Sequence, residues 1–264
     1  MRRAGGFTLV ELVMVIVLLA IVATISVQFV AFSTQEAIDA SDRQQRALKA
    51  VVVSEQITRM LREAHPLSIR LTGPTNNCLE WQPIEGATRY SRLPQGGGTE
   101  IEVVPFFEVP TGNGMRVVVY GYGGPTADVA DWFYSSPLSN PGPISPPIAS
   151  FGNDTDPATI TLTSSHRFKA RSPARRVFVV SQPNALCSES GNLLVLYSNY
   201  NIDESYASGT PAVLVADLGG PAEFTFTPAT LRRSALVTFS FELISPGSSE
   251  TLNVSQEVQI RNVP

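Results

Sequence analysis

Apolar residues crowd one end of this chain. From Phe7 to Phe32 there are 26 residues, and 21 of them are apolar; the exceptions are Thr8, Glu11, Thr24, Ser26 and Gln28. As a helix rising about 1.5 Å per residue, the run covers about 39 Å, enough to cross a bilayer. From Ser33 to Ala64 there is no Pro or Gly. In that stretch Ala50, Val53, Ile57, Met60, Leu61 and Ala64 recur at spacings of three and four, which predicts one apolar helical face. Asp42, Arg43, Arg46, Glu55, Arg59, Arg62 and Glu63 fill the other positions. The helix should end at His65, because the residue before Pro66 avoids the helical region.

Beyond Pro66 the period changes from helix to strand. Candidate strands are Ser68–Thr72, Cys78–Gln82, Thr88–Arg92, Glu100–Val109, Met115–Tyr122 and Ala158–Thr163. They continue with Arg176–Ser181, Asn192–Ser198, Pro211–Leu218, Ala222–Thr227, Ala235–Ile244 and Val254–Val263. Period-two alternation is plain in the last, with Val254, Val258 and Ile260 set against Gln259 and Arg261. Gln95 to Gly98 reads as a hairpin loop; it lacks the Lys-Ser/Thr that a phosphate loop requires. A short helix is expected over Ala127–Tyr134 with Thr126 as its cap, and Pro137–Pro147, with five prolines, as an irregular surface loop. The fold class predicted is α+β: a long N-terminal helix, half apolar and half amphipathic, packed on an antiparallel β-sheet domain.

Composition sharpens this division. The chain has 264 residues, 43% hydrophobic and 16% charged, with a net charge of −4. Without the apolar run, the apolar fraction of the remainder falls to about 39%, a normal globular value. The acidic balance argues against broad electrostatic binding of nucleic acid. Arg2 and Arg3 precede the apolar run, so by the positive-inside rule the chain after Phe32 lies across the membrane from them.

Two features of the N-terminus are anomalous for a simple anchor. Gly5-Gly6 separates the basic flank from the apolar run, and Glu11 is the sole charge between Arg3 and Glu36. A carboxylate in a membrane helix is costly and needs a partner. Snorkelling to the headgroups is one solution. A cut after Gly6 offers another, since the new α-amino group of Phe7 would be a positive charge for Glu11 of a neighbouring subunit. The order Gly6-Phe7-Thr8-Leu9-Val10-Glu11 followed by a long apolar run resembles the class III signal of type IV pilins and type II secretion pseudopilins. That resemblance implies cleavage after Gly6 by prepilin peptidase, N-methylation of Phe7, and an assembly role for Glu11. It implies four segments: a leader (1–6), a transmembrane and assembly helix (7–32), its amphipathic continuation (33–65) and a periplasmic β-rich domain (66–264). It also implies a single-pass inner-membrane location, with transfer to a pilus tip on assembly. The partners implied are the peptidase, other minor and major pilins, the inner-membrane assembly platform and the inner membrane itself. The competing expectation is an ordinary secretory signal cut near Ala31-Phe32-Ser33, although the run is long for one and contains Glu11.

Softer motifs resemble minor pilins of the MSHA pilus, of the MshO type. They are Leu61-Arg62-Glu63-Ala64, Pro66-x-Ser68, Cys78-Leu79-Glu80-Trp81-x-Pro83-Ile84, Arg89-Tyr90, Val177-Phe178-Val179-Val180-Ser181-x-Pro183 before Cys187, and Val258-x-Ile260-x-Asn262-Val263-Pro264. The long minor pseudopilin of type II secretion is the nearest rival.

Candidate chemistry is sparse. Cys78 and Cys187 are the two cysteines. Outside the cytoplasm they can pair, closing a loop of about 110 residues; the other reading is two buried thiols. Trp81 is close enough in sequence to cover Cys78. Two Cys and two His without ligand spacing give no zinc motif, and no G-x-S-x-G or H-E-x-x-H is present. No catalytic, cofactor-binding or metal-binding residue is therefore expected, and the protein reads as structural rather than enzymatic. Asn153-Asp154-Thr155-Asp156 reads as an Asx-rich turn rather than a calcium loop. The pairs Arg175-Arg176 and Arg232-Arg233 read as solvated surface or salt-bridge partners.

Overall fold

The computed structural model describes residues 8–94, 96–122, 131–134, 140–244 and 250–261. Gly6 and Phe7, Gln95 of the hairpin loop, Thr126 with the first half of the expected short helix, part of the Pro137–Pro147 segment and the Asn262-Val263-Pro264 ending lie outside the described residues. The chain divides into two compact units, Met1–Lys49 and Ala50–Pro264.

Helix α1 runs over Leu9–Arg62. From Ala50 onward its apolar stripe is buried: Ala50, Val53, Ile57, Leu61 and then Ala64 all enter one core, with Met60 packed at its margin. The helix stops three residues before the expected His65. There Ala64 forms a bridge with Pro83, the Glu63 carbonyl accepts from the Ile84 amide at 2.8 Å, and His65 N donates to the Gln82 carbonyl at 2.8 Å. Orphan carbonyls of the last turn are thus taken up by the sheet rather than by further helix.

The strands are β1 (Arg70–Thr72), β2 (Cys78–Trp81), β3 (Ile84–Arg92), β4 (Gly98–Val103) and β5 (Arg116–Val118), followed by the short helix α2 (Asp131–Tyr134). Next come β6 (Ile144–Gly152), β7 (Ala158–His166), β8 (Arg176–Val180), β9 (Asn184–Glu189) and β10 (Leu193–Ser198). The last are β11 (Thr210–Val215), β12 (Glu223–Thr227), β13 (Ala235–Ile244) and β14 (Thr251–Ile260). They form a closed barrel in the order β3-β4-β7-β6-β5-β8, a five-stranded sheet β1-β2-β9-β10-β11 and a three-stranded sheet β12-β13-β14. The strand pairings within them are antiparallel.

Two large cores and a small one around Cys78 and Cys187 result, and one barrel wall separates the large two. Along β8, Val177 and Val179 point into the barrel while Phe178 and Val180 enter the core that holds the end of α1. On β5, Val117 faces the barrel and Val118 the helix core. A strand buried on both faces cannot alternate, which is why Val177-Phe178-Val179-Val180 is a continuous apolar run. By contrast, β13 alternates over its full length: Ala235, Val237, Phe239, Phe241 and Leu243 are buried and the residues between them are partly exposed.

Several boundaries differ from expectation. β4 ends at Val103, before Pro105, and the Phe106 backbone is instead held at both N–H and C=O by the Asn153 side chain, at 2.8 and 3.0 Å. The Asx-rich turn therefore has a structural use. Ladder pairing in the expected Met115–Tyr122 strand is confined to Arg116–Val118, since Val119 turns to Pro143 and Tyr120 adopts a positive φ of 39°. β6 begins inside the expected proline loop. Pro146 and Pro147 are tolerated because the β5–β6 ladder shifts register between Pro147 and Ile144.

Candidate membrane and assembly segment

Helix α1 opens with a cap. The Glu11 amide donates to Thr8 Oγ1 at 3.3 Å, and Leu12 N donates to the Thr8 carbonyl at 3.2 Å. Thr8 and Glu11 hold the N-cap and N3 positions of the Thr-x-x-Glu capping pattern. The Glu11 carboxylate lies in the first turn, where the helix dipole favours negative charge. The capping role was legible in Thr8-x-x-Glu11.

From Leu9 through Phe32 the side chains are exposed, including Leu9 at 79% and Phe32 at 67%. The most apolar 18-residue window has a mean hydropathy of 2.8 and no part of it is buried. An apolar surface of this extent is stable only against lipid or other apolar helices. Thr24 Oγ1 donates to the Ile21 carbonyl and, just beyond the apolar run, Thr34 Oγ1 donates to the Val30 carbonyl, both at 2.8 Å. Such bonds to the preceding turn let a hydroxyl sit in hydrocarbon at little cost.

Cys78 and Cys187 are joined by a disulfide, 109 residues apart in sequence. They stand directly opposite each other on β2 and β9. Trp81, three residues along β2, points to the opposite face into the helix core, so it does not cover the bridge. Tyr200 packs there instead, with Ala185.

On the same face lies a polar network that sequence reasoning did not find. Glu80, almost fully buried, pairs with Arg70 Nε at 2.6 Å and accepts from Tyr200 Oη at 2.7 Å. The Arg70 guanidinium lies 3.7 Å from the Tyr134 ring centroid, and Tyr134 Oη donates to the Ser68 carbonyl at 2.8 Å. Burial, first, and the Glu80 charge next raise the pKa of both tyrosines, keeping them as neutral donors. His65 lies between Phe133 and Phe178, at 5.2 and 5.6 Å between ring centroids. Burial lowers its pKa to about 3, so it is neutral at physiological pH. His166 is also buried, and its Nε2 lies 3.2 Å from the Gly142 carbonyl. Among the described residues, neither imidazole is hydrogen-bonded to a hydroxyl or thiol: His65 is a core aromatic and His166 a strand-end contact.

Residues 1–27 match the family model of the prokaryotic N-terminal methylation motif. No curated protein and no solved structure matches the chain significantly. The matched motif is continuous with a capped, exposed apolar helix long enough to cross a membrane, and together they support a membrane-anchored, pilin-like precursor.

Proposed function

We propose that the chain is a minor pilin precursor of an MSHA-type pilus, of the MshO type, acting structurally to prime or cap pilus assembly. The observation that carries the reading is the methylation motif over residues 1–27 joined to the exposed helix that begins at Leu9. In this reading, prepilin peptidase hydrolyses the Gly6–Phe7 peptide bond and methylates the Phe7 amine. The leader stays cytoplasmic and the β-rich domain is periplasmic. The mature helix then leaves the inner membrane, at the assembly platform, for a bundle of minor and major pilins.

Helix electrostatics supply a driving force in this reading. A cationic Phe7 amine would sit at the positive end of the α1 dipole, where positive charge is disfavoured. Glu11 of an adjoining subunit offsets it, and the same pair relieves the carboxylate's burial among apolar helices. The pair forms only when neighbouring helices are staggered correctly, so it also sets register. Glu11→Ala is therefore expected to abolish or strongly reduce surface pili while leaving processing and membrane insertion intact. Piliation unchanged by Glu11→Ala would favour a simply anchored periplasmic binding or adhesion module. The same motif serves type II pseudopilins. A deletion strain that keeps its pili but no longer exports secreted enzymes would assign the chain to secretion instead.

A further inference from the structure

The connection from β7 to β8, with the first residue of β8, holds Arg167, Lys169, Arg171, Arg175 and Arg176 within ten residues and no carboxylate. All five side chains are exposed. They adjoin the exposed cations of β3: Arg176 stands directly opposite Arg89 in the β3–β8 ladder, and Tyr90 N donates to the Arg175 carbonyl at 2.9 Å. A cleft of about 210 Å³ opens here, its walls including Tyr90, Arg92, Leu93, Arg171, Ser172 and Arg175. The floor of the cleft is fixed. Tyr90 Oη donates to the Ser172 carbonyl at 3.2 Å, and the Arg176 amide donates to Ser172 Oγ at 3.1 Å.

Four of the arginines are not neutralised from within the described part of the fold. Among the described residues, no carboxylate lies within ion-pair distance of Arg89, Arg171, Arg175 or Arg176; Arg92 pairs with Glu102 at 3.3 Å. Like charges facing each other across a ladder destabilise it, as Arg89 and Arg176 do here. This concentration of positive charge stands on a chain whose net charge is −4. It therefore cannot be a by-product of a generally basic surface, and for Arg175 and Arg176 the solvated-surface expectation holds rather than the salt-bridged one.

We propose that this cleft binds a phosphate-type dianion. A single carboxylate fills one guanidinium fork, whereas a phosphate offers three terminal oxygens and up to two charges to several forks at once. Guanidinium groups outnumber ammonium groups here, which suits planar recognition of an oxyanion.

The test is calorimetric titration of the full chain in a non-ionic detergent with pyrophosphate and with glycerol 3-phosphate. The expected result is one saturable site per chain. Its affinity should fall at least about tenfold in R171E/R175E and stay unchanged in R232E/R233E, which removes the same charge from another exposed pair. R171Q serves if the double variant does not fold, with an expected loss of about threefold. Tighter binding of pyrophosphate would point to a phosphoanhydride, and tighter binding of glycerol 3-phosphate to a phosphomonoester; either supports the site. Absence of saturable binding, equal losses in the two double variants, or tighter binding of hexaglutamate than of both phosphate probes would overturn it.

Discussion

Glu11 carries two physical roles at one position. Its amide closes the cap with Thr8, and its carboxylate sits where the helix dipole favours it. The cap belongs to the single chain; the proposed pairing with a neighbour's amine belongs to the assembly. Glu11→Ala removes the carboxylate but keeps the amide and its bond to Thr8, which is why it tests assembly with little effect on the helix start. His65 is informative in another way. Its pKa in the fold, about 3, lies below the 6.5 of the unfolded chain, because burial disfavours the charged ring. Between these values the unfolded state binds a proton that the native state does not. Stability from this group is therefore intact above about pH 6.5 and is lost as pH falls toward 3, by up to ~1.4 kcal/mol per pH unit. Denaturant unfolding of the wild type and of His65→Leu at pH 7 and pH 4 checks this. The wild type should lose more stability than the variant between the two, and parallel losses would show that His65 titrates normally.

Among the elements, the strand pair β2–β9 decides how the cysteines meet. Cys78↔Cys187 is one rung of the ladder, beside Leu79↔Leu186 and Glu80↔Ala185. The bridge closes a loop that contains the barrel, so it restricts a large part of the unfolded chain. Its removal in Cys78→Ser/Cys187→Ser should cost about 4–5 kcal/mol in the chain-entropy account. Unfolding of oxidised and reduced protein measures this directly, and thiol titration of the denatured, unreduced chain should find no free thiol. Two reactive thiols would contradict the pairing. Element by element, legibility followed burial pattern. β13 and β14 alternate because one face is solvated, and both were readable. β9 was missed because it is short, carries Asn184 and Ser188, and owes its place to partners on both sides. β6 was missed because Pro146 and Pro147 argue against a strand, and only the register shift of the β5–β6 ladder admits them.

At the scale of the whole molecule, the N-terminal quarter was the most legible part. Its hydropathy, its proline-free length and the residues Gly6 to Glu11 each carry meaning without long-range contacts. The β-rich unit was legible as a class and not as a topology. Closing β3, β4, β7, β6, β5 and β8 into a barrel depends on pairings far apart in sequence, such as β3 with β8 and β4 with β7. Periodicity reports a residue's face but not its partner strand. The Glu80 network was hidden for the same reason, since Tyr200 meets Glu80 across 120 residues. The two units also have opposite relations to solvent. The β-rich unit buries its own cores, while the apolar helix from Leu9 to Phe32 buries nothing within the chain and so requires lipid or other subunits. The account turns on how that helix begins in the mature protein. Intact-mass and N-terminal analysis of the chain purified from membranes should find a start at Phe7 bearing one N-methyl group. A start at Thr34, or an uncut chain beginning at Met1 in cells with active prepilin peptidase, would contradict it.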